Sequence, residues 1–148
     1  MRDKVLGVIG GMGPLATDVF YKYVIENTRA ECDQDHIDMV ILSHASMIDR
    51  TKAIFEGKLD VLFSELKNDL GILERAGAEY AIIPCNTCHV LLDQIKQLSH
   101  IEIINMIEET AAAVYERFGR DTRVGIMATD GTVKMRMYHD AILKYDMV

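Results

Sequence analysis

The chain has no tryptophan, only two prolines, an odd three cysteines, and fewer basic than acidic residues, 16 against 23. It also lacks any apolar run near the roughly 20 residues that cross a bilayer as a helix. Each absence excludes something. An odd cysteine count argues against a complete disulfide framework. A net charge of −7 repels phosphate backbones, so nucleic acid is a poor partner. After Met1-Arg2-Asp3-Lys4 the apolar stretch is too short for the core of a signal peptide, and no small-residue cleavage site follows it. The expectation is a cytoplasmic protein without a membrane segment.

What is present suits one globular unit. The chain has 148 residues, 49% apolar and 26% charged, enough to bury a core. Short apolar runs at Val5–Ile9, Ile37–Leu42, Tyr80–Ile83, Ile101–Ile104 and Arg123–Met127 read as strands. Between them apolar residues recur at helical spacing. Leu15, Val19, Phe20, Tyr23 and Val24 predict a helix over 14–29. Leu59, Leu62, Phe63, Leu66, Leu70 and Leu73 predict one over 59–76, stopped by Gly77. Further helices are expected over 87–98, 107–118 and 132–145. Alternation of strand and helix implies an α/β fold with a parallel sheet and flanking helices. Ligands of such sheets bind beyond the carboxyl ends of the strands. Residues 10–13, 43–51, 84–88 and 128–132 fall at that edge, and the unusual residues collect there.

The first of these loops is Gly10-Gly11-Met12-Gly13. Gly11, Gly13 and Ala16 fit the G-x-G-x-x-G/A dinucleotide pattern. The second strand, however, runs into Leu42-Ser43-His44 without the carboxylate that pattern wants. A tight turn needing small residues, or a backbone cradle for a smaller anion such as a carboxylate, are the other readings.

Pro84-Cys85-Asn86-Thr87-Cys88-His89 is more distinctive. C-x-x-C-H suggests haem attachment, but no export signal accompanies it. C-x-x-C between strand and helix suits a redox pair. Cys85, Cys88 and His89 make an incomplete zinc set, with no second pair elsewhere at suitable spacing. A catalytic thiol is the fourth reading. Cys85 at a helix N-terminus feels the positive end of the macrodipole, which favours thiolate. Asn86, Thr87 and free backbone N–H groups can hold a carboxylate. Chemistry alone leaves this reading level with a buried cysteine acting as a small hydrophobe.

At this point the sequence resembles a known family. Gly10-Gly11-Met12-Gly13-Pro14, Asp49-Arg50-Thr51, Pro84-Cys85-Asn86-Thr87-Cys88-His89, Met106-Ile107-Glu108-Glu109-Thr110 and Ala128-Thr129-Asp130-Gly131-Thr132 look, in order, like signatures of the aspartate/glutamate racemases. The resemblance implies a Rossmann-like or flavodoxin-like half of a two-domain pseudo-symmetric fold, with residues 1–105 as the first half-domain and 106–148 as the incomplete start of the second. It implies interconversion of L and D acidic amino acids without pyridoxal phosphate or metal, using two cysteines on opposite faces of the α-carbon. One, as thiolate, removes the α-proton, and the other, as thiol, returns one. By motif match Cys85 is the first. Asn86 and Thr87 would hold the α-carboxylate, Arg50 a substrate carboxylate, Met12 the pocket wall, and Thr129 and Thr132 the opposite rim. Members are commonly homodimers.

Blander roles stand beside these. Arg50 and Asp49 suit a surface ion pair. Thr132 suits an N-cap, and Glu108 and Glu109 suit a helix start. His89 reads as a helix residue and Cys88 as structural. The chain departs from the family in two ways. Ile48 stands where many members have proline before Asp-Arg-Thr. Neither the family's later Gly-Cys-Thr nor its further basic substrate-binding residue occurs before Val148. The expectations are a fragment of a longer racemase, or a natural short form that only binds small carboxylates or acts as a one-cysteine lyase or isomerase.

Overall fold

The computed structural model describes residues 4–148. Four strands, β1 (Leu6–Gly10), β2 (Met39–Ser43), β3 (Tyr80–Ile82) and β4 (Glu102–Ile103), form one sheet in the order β2-β1-β3-β4. Every pairing is parallel, with Leu6 opposite both Met39 and Tyr80. Helix α1 (Pro14–Asn27) connects β1 to β2. Helices α2 (Arg50–Glu56) and α3 (Leu59–Arg75) connect β2 to β3, and a short 3-10 helix at Thr87–Leu91 followed by α4 (Leu92–Lys96) connects β3 to β4. The predicted α/β class, parallel sheet and flanking helices are the observed ones. Because β1 leads outward to β2 on one side while β3 lies on its other side, the chain parts at the carboxyl ends of β1 and β3. That is where an open parallel sheet makes a crevice.

One face of the sheet carries the main core. Ile9, Ala81, Ile83 and Ile103 point into it and meet Leu62, Leu66, Leu70 and Leu73 of α3, all essentially inaccessible. The leucines recur every three or four residues, so one stripe of α3 is buried, each side chain contributing about 2 kcal/mol. The helix ends where Gly77 turns left-handed at φ 84°, as its position in the sequence predicts. The sheet's other face is covered less fully. In α1 the only fully buried residue is Thr17, whereas Leu15 is 74% and Tyr23 60% exposed. The predicted helix forms, but its inward stripe is Thr17, Phe20 and Val24, offset from Leu15, Val19 and Tyr23.

Beyond β4, helix α5 (Met106–Phe118) packs on α7 (Met137–Leu143), with the short α6 (Asp130–Lys134) between them in sequence. Ile107 and Ala111 meet Ala141, Ile142 and Met147 in a second core. Asn105 caps α5 by accepting from the N–H groups of Ile107 and Glu108, and Glu108 and Glu109 fall in its first turn. Two expectations fail here. The helix predicted over 132–145 is broken, since Arg136 sits left-handed at φ 55° and separates α6 from α7. Residues 123–127, predicted as a strand, carry no regular secondary structure and are paired at one point. The Thr122 carbonyl accepts from the Val148 N–H (3.0 Å), and the Val148 carbonyl accepts from the Val124 N–H (2.7 Å). That is the pattern of a single parallel bridge; beyond it, among the described residues, no strand pairs with the segment, and Met127 is wholly exposed.

Candidate active site

The glycine turn after β1 is shaped by contact rather than by a ligand. Gly11 has φ 89°, and a Cβ there would stand 2.4 Å from the His44 backbone nitrogen. Glycine is therefore the residue that lets the β1 and β2 loops touch. The Gly11 N–H donates to Thr17 Oγ1 (2.9 Å), and that hydroxyl donates to the Gly13 carbonyl. The amide a phosphate would use is engaged, and β2 ends at Ser43 with no carboxylate. Both observations count against a dinucleotide site.

All seven residues singled out in the sequence line one cleft of about 290 Å³. Met12 comes from the turn after β1, Arg50 from the start of α2, Cys85, Asn86 and Thr87 from the turn after β3, and Thr129 and Thr132 from the start of α6. Ala16, Asp49, Thr51 and Pro84 complete its wall. The segment beyond β4 reaches the cleft because α6 docks on α2. Gly131 allows this: a Cβ would approach Thr51 Oγ1 and Ile54 Cδ1 to 3.1 and 3.2 Å.

Polar side chains dominate the lining. Arg50 does not pair with Asp49, whose carboxylate instead accepts from the Lys52 N–H and caps α2. The guanidinium is steadied by the Met47 and Ile48 carbonyls (3.4 and 3.2 Å) and reaches the Cys85 sulfur. Thr87, Thr129 and Thr132 form a closed triangle of hydroxyls, with Oγ separations of 3.0 to 3.1 Å. Thr132 is inside α6, so it is not the N-cap; Thr129 holds that position and makes no capping bond. Asn86 accepts from the Tyr138 hydroxyl through its side-chain oxygen at 2.7 Å. That assignment leaves the NH₂ of Asn86 free to donate.

Cys85 sits at the base of the cleft, 9% exposed. Its thiol is held down to about 6, chiefly because the Cys88 thiol donates to its sulfur. Burial opposes this, and the Cys88 N–H and the Arg50 guanidinium reinforce it. The macrodipole expected from sequence is weak here, since Thr87–Leu91 is a 3-10 turn rather than the start of a long α-helix. Cys88 itself is pushed up, by that same bond first and by burial second. Its sulfur also lies 3.3 Å from Met12 Sδ. One thiol proton cannot serve both sulfurs; an ionised Cys85 is the stronger acceptor and takes it, while a thioether accepts only weakly.

Three further residues make contacts around the site that sequence alone does not assign: His89, which reads there as a helix residue, and Asp69 and Tyr138, which it does not single out. His89 donates from Nδ1 to the Cys85 carbonyl (2.9 Å), and burial lowers its affinity for a second proton. The buried Asp69 of α3 bonds Nδ1 of His44 at 2.9 Å beneath the cleft. Tyr138 belongs to the second core, 52 positions from Asn86.

Comparison with known proteins gives a consistent answer. The model of the Asp/Glu/Hydantoin racemase family matches residues 9–148. A broad specificity amino-acid racemase, RacX of Bacillus subtilis, is 26% identical over 144 residues, covering 93% of this chain and 60% of that protein. A glutamate racemase of Desulforudis audaxviator is 34% identical over 85 residues, 57% of this chain and 31% of that one. Among solved structures, Picrophilus torridus aspartate racemase superposes with a TM-score of 0.83 at 30% identity, covering 97% of this chain and 60% of that one. The chain thus spans three-fifths or less of the length of these relatives.

Proposed function

Because the chain belongs to the Asp/Glu/hydantoin racemase family, we propose that its cleft binds an acidic amino acid and that the Cys85 thiolate removes the α-proton. The observation that carries this reading is Cys85 itself, a thiol held down to about 6 at the base of a cleft that also presents Arg50 and Asn86. A general base works best with a pKa near the operating pH. The Asn86 amide and the Thr87 hydroxyl suit the α-carboxylate, and the Arg50 fork suits a carboxylate in bidentate fashion. Thr129 and Thr132 face them from α6, and Met12 supplies an apolar wall. No cofactor enters this scheme: two thiols suffice, one taking a proton and one returning it.

The second thiol is the open half of the scheme. Among the described residues Cys85 is the one cysteine that lines the cleft, with Cys88 behind it and Cys32 exposed on the segment between α1 and β2. Inversion needs acid and base on opposite sides of one carbon. Residues 4–148 therefore support removal and return on one face, and the relatives, being longer, leave room for the other group. The separate core of residues 106–148 supports reading them as the beginning of a second α/β half. The one-sided cleft also favours a second reading, a protein that binds small carboxylates without turning them over.

Incubating the protein with each enantiomer of aspartate and glutamate in heavy water separates these readings. Racemisation with deuterium uptake indicates a complete site. Exchange of one enantiomer without inversion indicates a one-sided base. Saturable binding without exchange indicates the binder. Under the proposal Cys85→Ser abolishes all exchange while the fold persists; exchange surviving in that variant rules out the role given to Cys85.

A further inference from the structure

Cys85 and Cys88 differ in a way that proton transfer does not require. Cys85 lines the cleft, whereas Cys88, three residues on, is wholly buried in the core beside it, with its thiol and backbone N–H next to the Cys85 sulfur. The two flank the start of a 3-10 turn, in which the Asn86 carbonyl accepts from the His89 N–H at 3.0 Å. Cys85 lies just before that turn, but Asn86 is already helical (φ −56°, ψ −51°) and Thr87 begins the 3-10 turn, so residues 85 to 88 bend as one helical turn that brings the two Cα atoms to about 6 Å. A disulfide needs Cα atoms about 4.4–6.8 Å apart, so the backbone already suits one.

We infer that Cys85 and Cys88 form a hydroperoxide-responsive dithiol, in which a peroxide entering the cleft oxidises Cys85 and Cys88 then closes an intrachain disulfide. The balance is complete with a hydroperoxide as oxidant. The Cys85 thiolate attacks the nearer peroxide oxygen; the S–O bond forms, the O–O bond breaks, and the departing alkoxide or hydroxide takes a proton from water. Sulfur loses two electrons and the peroxide gains them. Cys88 then attacks the sulfenic sulfur; the S–S bond forms, the S–O bond breaks, and the leaving hydroxide combines with the Cys88 proton as water. An external dithiol reverses the change. The geometry assigns the order of events, because only Cys85 can meet an oxidant from the cleft and Cys88 can meet only Cys85. The low proton affinity of Cys85 supports the first step, since the thiolate is the reactive form.

The inference stands on the pair and does not need the proton-abstraction reading, so its test uses thiol counts and peptide masses rather than racemisation. Treat the folded protein with a small excess of hydrogen peroxide, quench, denature, and titrate free thiols. The wild type should fall from three free thiols to one, and peptide mapping should recover residues 85 and 88 in one peptide, lighter by two hydrogens and restored by a dithiol. In a Cys32→Ser background the count should fall from two to none. Cys88→Ala should instead stop at a sulfenic acid on Cys85, trapped by dimedone. Sulfinic acid on Cys85 with Cys88 still titratable, or a disulfide to Cys32, overturns the proposal. The wild-type and Cys32→Ser measurements decide it even if the Cys88 variant folds poorly.

Discussion

The hydroxyl of Tyr138, on α7, donates a 2.7 Å hydrogen bond to the side-chain oxygen of Asn86, beside Cys85. It ties the second core to the cysteine turn and fixes which end of the Asn86 amide meets a ligand. Tyr138→Phe removes the bond while keeping the ring. A neutral hydrogen bond contributes about 1 kcal/mol, so binding of an acidic amino acid should weaken roughly fivefold by calorimetry. Exchange at saturating ligand should change less than affinity does. An unchanged affinity would remove Tyr138 from the site.

Cys85 should react as a thiolate well below the range of an ordinary thiol. Its alkylation by iodoacetamide should rise with pH around a midpoint of about 6 and level off above it. Cys32, which is exposed, supplies the internal comparison. The sign follows from the lowered value. The folded form prefers the thiolate, so the linked stability is fully present above the unfolded-state pKa and is lost as pH falls through about 6. Arg50→Gln removes one of the influences that lower the value, and should move the alkylation midpoint upward without abolishing the reaction. A midpoint that stays in place would mean that the Cys88 donors act alone.

Two glycines should separate fold from site. Gly11→Ala meets backbone at 2.4 Å with φ at 89°, and no side-chain rearrangement relieves a backbone clash. A loss of about 2–3 kcal/mol or more is expected in denaturant melts. Gly131→Ala presses on Thr51 and Ile54 at 3.1 and 3.2 Å, so α6 can shift slightly. That variant should lose about 1 kcal/mol of stability but a larger share of ligand affinity, because α6 carries Thr129 and Thr132.

Much of this was readable beforehand, for identifiable reasons. The α3 leucines and Gly77 announce themselves because local periodicity and a left-handed stop are properties of a short window. The four loops at the carboxyl edge follow from alternating elements, and their motifs gather in one cleft. The inward stripe of α1 was hidden because its anchor is Thr17, a polar residue whose hydroxyl serves the glycine turn. The break at Arg136 has neither glycine nor proline to mark it. The segment 123–127 has a strand's composition, but a strand also needs a neighbour, and among the described residues only Val148 provides one. The partnerships of Tyr138 with Asn86 and of His44 with Asp69 join distant positions, and no single-chain pattern encodes them. From sequence Cys88 reads as structural, because its role lies in where its proton points.

The three threonine hydroxyls have a property that follows from counting hydrogens. Thr87, Thr129 and Thr132 bring three O–H groups to three O···O contacts, so a closed ring uses every hydrogen and turns only lone pairs toward the cleft. At rest this wall is acceptor-only and repels an anion. It becomes a donor only when one link opens and a hydroxyl swings out. A charged carboxylate can compensate for the broken link because its hydrogen bonds are about twice as strong as neutral ones. A carboxamide of the same shape needs no such opening, because its NH₂ donates to the resting lone pairs. The ring thus behaves as a threshold that discriminates by ligand charge rather than by ligand size.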